Sequence, residues 1–305
     1  MNDLKRRNML LALHYIHPVP LSKLATLFTN MPLLDLLPSL PPTKLQQVLH
    51  ISEKSCTLIH SFLQKNAEKD FIAYYAMNGI EVTTILDEDY PVLLSQTYDP
   101  PVVLYLKGDK SLLHDEKKIA IVGSRKASAY TSNIVKVLLP PLLKENFRVV
   151  SGLAKGADKM AHEATMLLKG GTVAVLGHGF DHLYPSEHRG LYDKLITEQL
   201  VVTEYPPYVS PARWRFPMRN RIISGLSQGV IVTEAEKKSG TRSTVDYAIS
   251  HGREIFVVPG NIFSSLSELP HELASDGARL VWNGSQIVEE LAHNFKIEMK
   301  NGCKT

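Results

Sequence analysis

The chain has 305 residues, of which 44% are hydrophobic and 21% charged, a composition that excludes disordered, fibrous and low-complexity classes. Its 34 basic and 31 acidic residues leave a formal net charge of +3, too small to indicate a polyanionic partner by itself. Cys56 and Cys303 lie far apart, which excludes a disulfide framework and favours a cytoplasmic location. No uncharged apolar stretch approaches the roughly 18 residues of a membrane span, so no membrane insertion is expected.

The N-terminal part predicts a small all-helical module over residues 1–78. Its Leu-rich clusters are broken by prolines, and a longer amphipathic stretch follows over 55–77. The short helices resemble SAM-like or helix-hairpin-helix domains, but the Gly-containing hairpin of those motifs is missing, so we interpret the module as a packing or partner surface. Residues 79–117 contain Tyr90-Pro91 and Asp99-Pro100-Pro101, which predict a turn-rich connector with short strands.

From residue 118 onwards, six short apolar runs alternate with helical sequence. The runs are IAIVG, RVVSG, TVAVLG, LVVTEY, GVIVTEA and EIFVVPG. Strands covered on both faces have this nearly continuous apolar character, so residues 118–290 predict an α/β domain with an extended Rossmann-like, doubly wound, mostly parallel sheet. Ligands of such sheets bind at the carboxyl ends of the strands, and we expect the functional site there.

The first of these strands ends in a turn made of Gly123, Ser124 and Arg125. The G-x-G-x-x-G fingerprint of dinucleotide-binding folds is not matched, because Arg125 and Ser128 stand where its second and third glycines would be. A hydroxyl and a guanidinium at a helix N terminus suit a phosphate that is held by charge and by free N–H groups. The alternative is a turn with a surface arginine.

The second strand ends in a Gly-rich turn over residues 151–158 that opens a helix and carries Lys155 in the loop. It is not a Walker A loop, since Gly-Lys-Ser/Thr is missing, and ATP hydrolysis is not predicted. Asp158 is expected to cap the helix or to fix the loop rather than to bind a metal. The two turns therefore predict the same chemistry, the binding of an anion such as phosphate.

Residues 205–233 contain no Asp or Glu but combine arginines with aromatic residues. The arginines are Arg213, Arg215, Arg219 and Arg221, and the rings are Tyr205, Tyr208, Trp214 and Phe216. A track of cations beside aromatic faces suits single-stranded nucleic acid, since phosphates require charge and unstacked bases require a stacking surface. In the alternative interpretation, Trp214 and Phe216 belong to the core and the arginines cap carbonyl groups.

Two catalytic patterns fail in their context. Residues 225–229 fit G-x-S-x-G, but a nucleophile elbow needs a strand before the serine and a helix after it, and the predicted order here is the reverse. His178, Asp181, His182 and His188 could imitate metal ligands, but the glycines and the proline among them indicate a turn-rich loop. We therefore predict no metal and no cofactor.

The motifs, in their order along the chain, resemble those of the DprA/Smf family over roughly residues 75–290. They are GSR at 123–125, SGLAKGAD at 151–158, G-x-G-x-D-x-x-Y-P at 177–185, EYPP at 204–207, FPMRNRIISGLS at 216–227 and SGT at 239–241, followed by GREIFVVPG. The resemblance implies an extended Rossmann fold that binds single-stranded DNA, protects it during natural transformation, and loads a RecA-type recombinase past single-strand-binding protein. It also implies a helical N-terminal module and a homodimer.

The resemblance also implies a set of phosphate-contacting residues. By motif these are Gly123, Ser124, Arg125, Ser151, Gly152, Lys155, Gly156, Arg219, Asn220 and Arg221. The arginine and aromatic track adds Arg213 to this nucleic-acid-binding set. Many family members continue into a winged helix, whereas only residues 291–305 follow here, so a C-terminal tail without that module is expected.

The main alternative is a nucleotide N-glycosidic hydrolase of the lysine-decarboxylase-like group, which uses a P-G-G-x-G-T-x-x-E motif on a similar fold. When its Gly-Thr is aligned with Gly240-Thr241, Thr244 stands at the catalytic Glu. Asp246 would lie about 200° further round the helix and point to another face. Because the carboxylate is missing, we predict that the protein is not an enzyme. A pure protein-interaction adaptor would not need two anion-binding turns.

Overall fold

The computed structural model describes residues 3–19, 22, 24, 27–28 and 31–302. Within them the strands form one nine-stranded sheet in the order β1-β2-β6-β5-β4-β3-β7-β8-β9. The strands are β1 (Glu81–Thr84), β2 (Val103–Gly108), β3 (Lys118–Val122), β4 (Arg148–Ser151), β5 (Thr172–Leu176), β6 (Leu200–Thr203), β7 (Gly229–Val232), β8 (Glu254–Val257) and β9 (Arg279–Leu280).

Helices precede the sheet and connect its strands. Those before β1 are Asp3–Ile16, Met31–Leu36, Pro42–Leu49, Glu53–Lys65 and Phe71–Met77. Those after β1 are Val92–Ser95, Ser111–His114, Ala129–Lys144, Ala157–Leu167, Arg189–Glu198, Arg215–Gly225, Thr241–Ser250, Glu268–Ser275 and Gly284–Gly302. Single 3-10 turns cover Leu37–Ser39, Ser186–His188 and Ser265–Ser267.

The six predicted strands are β3 to β8, and they pair with one another in parallel. Every residue of β3, β5, β6 and β7 is buried. Along β3, Ile119 and Ile121 lie in one hydrophobic core and Ala120 and Val122 in another, because successive side chains point to opposite faces. The prediction of an extended Rossmann-like, doubly wound, mostly parallel sheet is therefore confirmed.

The predicted connector over 79–117 supplies two strands of the sheet itself. β1 pairs antiparallel with β2, and β2 pairs antiparallel with β6. The first four residues of β2 are buried. The sequence did not indicate this pairing, because short strands between proline-rich turns resemble those of a linker. The sheet is thus wider than the parallel part alone, and the boundaries of the segments at 78 and 117 stay a prediction.

The helical N-terminal module packs on the sheet through a shared core. Leu10 and Leu13 belong to the same hydrophobic cluster as Tyr105 of β2, and His14 Nδ1 lies 3.0 Å from the Tyr105 hydroxyl. The amphipathic stretch predicted over 55–77 falls in two helices, Glu53–Lys65 and Phe71–Met77. The second begins after Asp70, which caps it by accepting a hydrogen bond from Ala73 N at 2.9 Å. The prediction of a helical N-terminal region is therefore confirmed over the residues that the structure describes there.

The C-terminal tail predicted over 291–305 begins inside the last helix, Gly284–Gly302. Residues 303–305 lie outside the described residues, as do residues 1 and 2 of the N-terminal module. Among the helices that the structure describes, none is long and apolar enough to cross a lipid bilayer.

The direction of strand addition reverses at β3. From β3 the chain passes through β4, β5 and β6 on one side, and the helix Arg215–Gly225, here called the arginine helix, leads back to β7 on the other side of β3. Doubly wound sheets bind their ligands in the crevice outside the carboxyl ends of the strands at such a switch point. The topology therefore predicts a ligand site between the loops after β3 and β7, beside the arginine helix.

Candidate nucleic-acid interface

A cavity of about 320 Å³ lies at this switch point. Its walls come from the turn after β3, the loop after β7, the arginine helix and the helix Thr241–Ser250, and they include Arg125, Phe216, Asn220 and Thr244. A smaller cavity of about 50 Å³, bordered by Lys155 and other residues of the turn after β4, shares Arg125 and Phe216 with the larger one. Both predicted turns therefore contribute to one connected region at the carboxyl edge of the sheet.

The two turns pack directly against each other. Ala157 N, at the start of the helix Ala157–Leu167, donates a hydrogen bond to Ser124 O at 3.1 Å. Gly156 has a φ of +71°, and a Cβ at this position would collide with the main chain of Ser124 and Arg125. Glycine is thus required at 156 by the backbone angle and by the close approach. Gly156 shapes the site by letting the two turns meet.

The helix N terminus after the first turn already carries an anion, the carboxylate of Glu234. It accepts hydrogen bonds from Ser128 N at 2.7 Å, Ser128 Oγ at 2.8 Å and Thr131 Oγ1 at 2.8 Å. This is the position that favours a bound phosphate in other folds. The N–H of Ser128 is therefore already bonded to the chain's own acid, and the expectation of free N–H groups does not hold for this residue. Ser124 itself is buried, and its hydroxyl accepts from Lys126 N at 3.0 Å.

Two polar side chains of the turn after β4 and the helix that follows it bond to the main chain of the protein. Ser151 is buried, and its hydroxyl donates to Ile121 O at 2.7 Å, so in this structure the group serves the main chain, and its contact with a phosphate stays a prediction. Asp158 accepts a hydrogen bond from Ala154 N at 3.3 Å, which confirms that it fixes the loop. Burial raises the pKa of the Asp158 carboxyl, and the nearby Arg219 guanidinium opposes this rise.

Arg219 is buried and serves the main chain. Its guanidinium donates to Gly152 O at 2.5 Å and to Val175 O, and its Nε donates to Asn220 Oδ1 at 3.1 Å. A Cβ at Gly152 would collide with this guanidinium, so the glycine allows the close approach. Burial lowers the pKa of Arg219 to about 10. The expectation of a surface-exposed Arg219 is wrong, and the carbonyl-capping alternative is confirmed for this residue. Arg219 lines both cavities, and its contact with a phosphate stays a prediction.

Arg221 is equally buried, and a carboxylate neutralises it. Its Nη2 lies 2.6 Å from Glu204 Oε2, and its Nη1 lies 3.1 Å from Glu204 Oε1. This bidentate ion pair fastens the arginine helix to the segment that follows β6. The expectation of a surface cation is wrong here too. The partner, Glu204, stands immediately before the acid-free segment, so the sequence did contain the relevant residue.

The cations that remain exposed beside the cavity are Arg125 and Lys126. The Arg125 guanidinium lies 6.0 Å from the centre of the Phe216 ring, and that ring lies 5.3 Å from the ring of Tyr184. Phe216 is half-buried and Tyr184 is 48% exposed. Positive charge and accessible aromatic faces therefore meet at the first turn, the combination that the sequence had suggested for a single-stranded ligand.

The loop after β6 presents a second exposed group. Arg213 is exposed, and Trp214 is 60% exposed, so the interpretation of Trp214 as a core residue is wrong. The Arg215 guanidinium lies 4.9 Å from the centre of the Trp214 ring and holds it by a cation–π contact. Tyr205 is buried, and Tyr208 instead contacts the N-terminal module, with its ring 5.1 Å from that of Tyr15.

Two further predicted residues have partners within the site. Lys155 is exposed, but its Nζ lies 2.7 Å from Glu187 Oε2. Asn220 Nδ2 donates to Ser243 Oγ at 2.8 Å and so joins the arginine helix to the start of the helix Thr241–Ser250. Gly123 is closely enclosed, since a Cβ there would collide with Ala157 and with the loop after β7.

The rejected catalytic patterns can also be located. Ser227 is buried and donates its hydroxyl to Ile223 O at 2.9 Å. Thr244 lines the cavity at the aligned position of the hydrolase Glu, whereas Asp246 is exposed and lies 3.5 Å from Arg242 Nε. Among the residues that the structure describes, no three His, Cys, Asp or Glu side chains are grouped as metal ligands would be.

Comparison with known proteins places these observations in a family. The family model described as DNA recombination-mediator protein A matches residues 81–292. DNA processing protein DprA of Bacillus subtilis (strain 168) is 43% identical over 220 residues, which cover 72% of this chain and 74% of that protein. Protein Smf of Escherichia coli (strain K12) is 40% identical over 205 residues, which cover 67% of this chain and 54% of that protein.

Two solved structures are similar over most of their length. The X-ray structure of DprA from Streptococcus pneumoniae has 32% sequence identity and a TM-score of 0.76, and the match covers 95% of this chain and 98% of that one. The Helicobacter pylori DNA processing protein A, described for its single-stranded DNA binding mode, has 28% identity and a TM-score of 0.62, with 70% and 96% covered. The chain therefore belongs to the DprA/Smf family, that of DNA recombination-mediator protein A.

Proposed function

We propose that the protein binds single-stranded DNA along the carboxyl edge of its sheet. The observation that carries this proposal is the meeting of the exposed cations Arg125 and Lys126 with the rings of Phe216 and Tyr184 at the switch-point cavity. Phosphates require the charge and unstacked bases require the rings. The H. pylori relative, described for its single-stranded DNA binding mode, supports the same ligand for this chain.

The exposed rings favour a single strand over a duplex. In a duplex the bases are stacked on one another, so accessible rings such as Trp214 would have no base face to contact. The proposed cations contact phosphates, which carry no sequence information, so binding is expected to depend little on sequence. Arg213, exposed on the loop after β6, is a candidate for an additional phosphate contact.

The finer role that we propose follows the family. The protein would protect incoming DNA during natural transformation and load a RecA-type recombinase onto it past single-strand-binding protein, acting as a homodimer in the cytoplasm. Membership of the DNA recombination-mediator protein A family supports this role. The test is recombinase filament formation on DNA coated with single-strand-binding protein, which the protein should accelerate; an unchanged rate would contradict the loading role.

We propose that the cavity performs no catalysis. Thr244 stands at the aligned position of the hydrolase Glu, Asp246 is exposed beside Arg242, and of the two carboxylates that line the cavity, Asp158 accepts from Ala154 N and Glu236 is exposed to solvent. Incubation with nucleotides should therefore release no free base. Turnover above the spontaneous rate, lost on substitution of Asp158 or of Glu236 at the cavity wall, would establish the hydrolase instead.

The decisive experiment is a binding comparison at fixed salt of single-stranded DNA, duplex DNA of equal length, and a mononucleotide. The single strand should bind most tightly, and its affinity should fall with salt with a log–log slope of about −0.7 per neutralised phosphate, or roughly −3.5 for about five contacts. Equal affinity for the duplex, or an affinity that does not respond to salt, would contradict the proposed interface.

A further inference from the structure

The loop after β8 carries two adjacent large apolar side chains that are exposed. Phe263 is 91% exposed and Ile262 is 77% exposed. Single exposed apolar residues need no explanation, but a neighbouring pair on an ordered loop indicates a surface that contacts something else. Neither residue belongs to the cavity at the switch point or to its aromatic lining.

Hydrogen bonds hold the main chain of this loop in place beside Phe263. Phe263 N donates to Asn261 Oδ1 at 2.9 Å. Ala235 N donates to Leu266 O at 2.6 Å, and Ala235 O accepts from Leu269 N at 3.1 Å. One main-chain bond therefore joins the loop after β8 at Leu266 to the loop after β7, and a second joins that same loop to the helix Glu268–Ser275 at Leu269. The loop after β7 forms one wall of the cavity.

Phe263 shares an edge of the sheet with the proposed DNA site. β3, β7 and β8 are successive parallel neighbours, so their carboxyl ends lie about 5 Å apart, and the loops after β3 and β8 start about 10 Å apart. The Tyr130 hydroxyl, at the start of the helix after the Arg125 turn, donates directly to Pro259 O in the loop after β8. No other strand separates the cavity from this loop.

We propose that Phe263, with Ile262 beside it, is a stacking platform for a base of the DNA strand that passes the cavity towards β8. The proposal rests on the proposed binding of single-stranded DNA and extends its footprint in one direction. Exposed rings would then stand at both ends of the bound strand, Trp214 after β6 and Phe263 after β8, with the cations of the Arg125 turn between them.

The local chemistry fits a base better than a protein surface. A standard protein interface covers about 800 Å² on each partner, whereas two projecting side chains offer roughly 300 to 400 Å². Lys237, a cation of the neighbouring loop after β7, is paired with a carboxylate, since its Nζ lies 3.1 Å from Glu272 Oε2. A contact here would therefore add stacking without adding a phosphate contact.

The test is a titration of the full chain with labelled oligothymidylates of increasing length. Phe263→Ala should bind the shortest oligonucleotides like wild type and the longest roughly five- to 100-fold more weakly. The salt slope should stay unchanged, because stacking releases no counterions. Phe263→Trp should restore the affinity. Leu167→Ala is the matched control, because Leu167 is 73% exposed at the far end of the helix Ala157–Leu167.

The outcomes separate this proposal from the one on which it rests. If Phe263→Ala binds every length like wild type while Arg125→Ala binds weakly, the platform is refuted and the DNA site stands. If Phe263→Ala changes only the sedimentation of the protein, the surface contacts protein and the platform is again wrong. Photocrosslinking of wild type with 5-iododeoxyuridine oligonucleotides gives a reading independent of any variant, and the crosslinked peptide should contain Phe263.

Discussion

Two parts of one acid-free segment behave oppositely in this structure. At residues 213–214 the side chains are exposed on the loop after β6, whereas Arg219 and Arg221, one to two turns into the arginine helix, are both only 4% exposed. Composition treats all of these residues alike. Their position relative to the sheet decides which arginine can reach a ligand and which one holds the fold together.

The two buried arginines satisfy the same requirement in different ways. They are two positions apart on a helix and so point in directions that differ by about 200°. Arg219 meets main-chain carbonyl groups at the ends of β4 and β5, and Arg221 meets the carboxylate of Glu204. A buried guanidinium without such partners would cost several kcal/mol. Arginines on a helix that packs against a sheet therefore indicate hydrogen-bond acceptors in the protein itself, and they do not by themselves indicate a DNA ligand.

The largest effect is expected from removing one member of the buried ion pair. Arg221→Ala should lower the free energy of unfolding by about 3 to 5 kcal/mol, because it leaves the Glu204 carboxylate buried without its partner. Urea denaturation followed by circular dichroism measures this change. The double variant Arg221→Met, Glu204→Leu is the control and should recover much of the loss, since apolar residues of similar size can replace a buried pair.

That control also decides between the two roles of Arg221. If Arg221→Ala were as stable as wild type and instead bound single-stranded DNA weakly, the residue would act on the ligand and the division between exposed and buried arginines would be wrong. If the double variant binds DNA normally, the charge of Arg221 is dispensable for the interface.

Arg125 should show the opposite pattern. Because Arg125 is exposed on the turn after β3, Arg125→Ala should weaken binding of single-stranded DNA by about 1 to 3 kcal/mol and leave stability within about 0.5 kcal/mol. The salt slope should become shallower by about 0.7, the contribution of one phosphate. Fluorescence anisotropy at several salt concentrations measures both quantities, and unchanged affinity would remove Arg125 from the site.

A smaller effect with a different salt response is expected for Trp214. Trp214→Ala should cost about 1 to 2 kcal/mol of binding free energy through lost stacking, with the salt slope unchanged. Trp214→Phe, which keeps a ring, should retain most of the affinity. A large fall in melting temperature in the alanine variant would show instead that the ring stabilises the loop after β6.

The smallest effect concerns the ion pair between Lys155 and Glu187. Lys155→Ala should weaken DNA binding less than Arg125→Ala does, by at most about 1 kcal/mol, because Lys155 must leave its carboxylate to meet a phosphate. Glu187→Ala should release Lys155 and strengthen binding by a few tenths of a kcal/mol at low salt, roughly the worth of an exposed pair. Equal losses for the Lys155 and Arg125 variants would show that the pair offers no competition.

The parallel part of the fold could be predicted from the sequence because its strands are covered on both faces. In β3 and β5 every position is buried, so the apolar runs were continuous and their ends were clear. β1, β2 and β9 could not be assigned in this way. β1 has four residues and β9 has only two, both exposed, whereas β2 has six residues but lies directly after the proline-rich turn at 99–101 and so resembled part of a linker.

The residues of the candidate site could be predicted where they stand beside a strand end, but not where their role depends on a partner far away in the sequence. Arg125 and Gly156 stand beside strand ends that the sequence revealed. Glu234 accepts a hydrogen bond from Ser128, 106 residues away in the sequence, and Arg219 donates one to Val175, 44 residues away. Such partners follow from the order of the strands in the sheet, which no single motif contains. An acid directly after a buried strand, as in VTEA, is the signal that could have revealed Glu234.

The carboxylate of Glu234 at the start of the helix Ala129–Lys144 has a consequence for the protein in a metabolically active cell. Millimolar ATP and dinucleotides compete for any helix start that welcomes a pyrophosphate. Here that position is filled by the chain's own acid, covalently tethered and present at all times. If the chain binds single-stranded DNA as proposed, its surface side chains would hold the polynucleotide, and free nucleotides would not compete with it for this helix start.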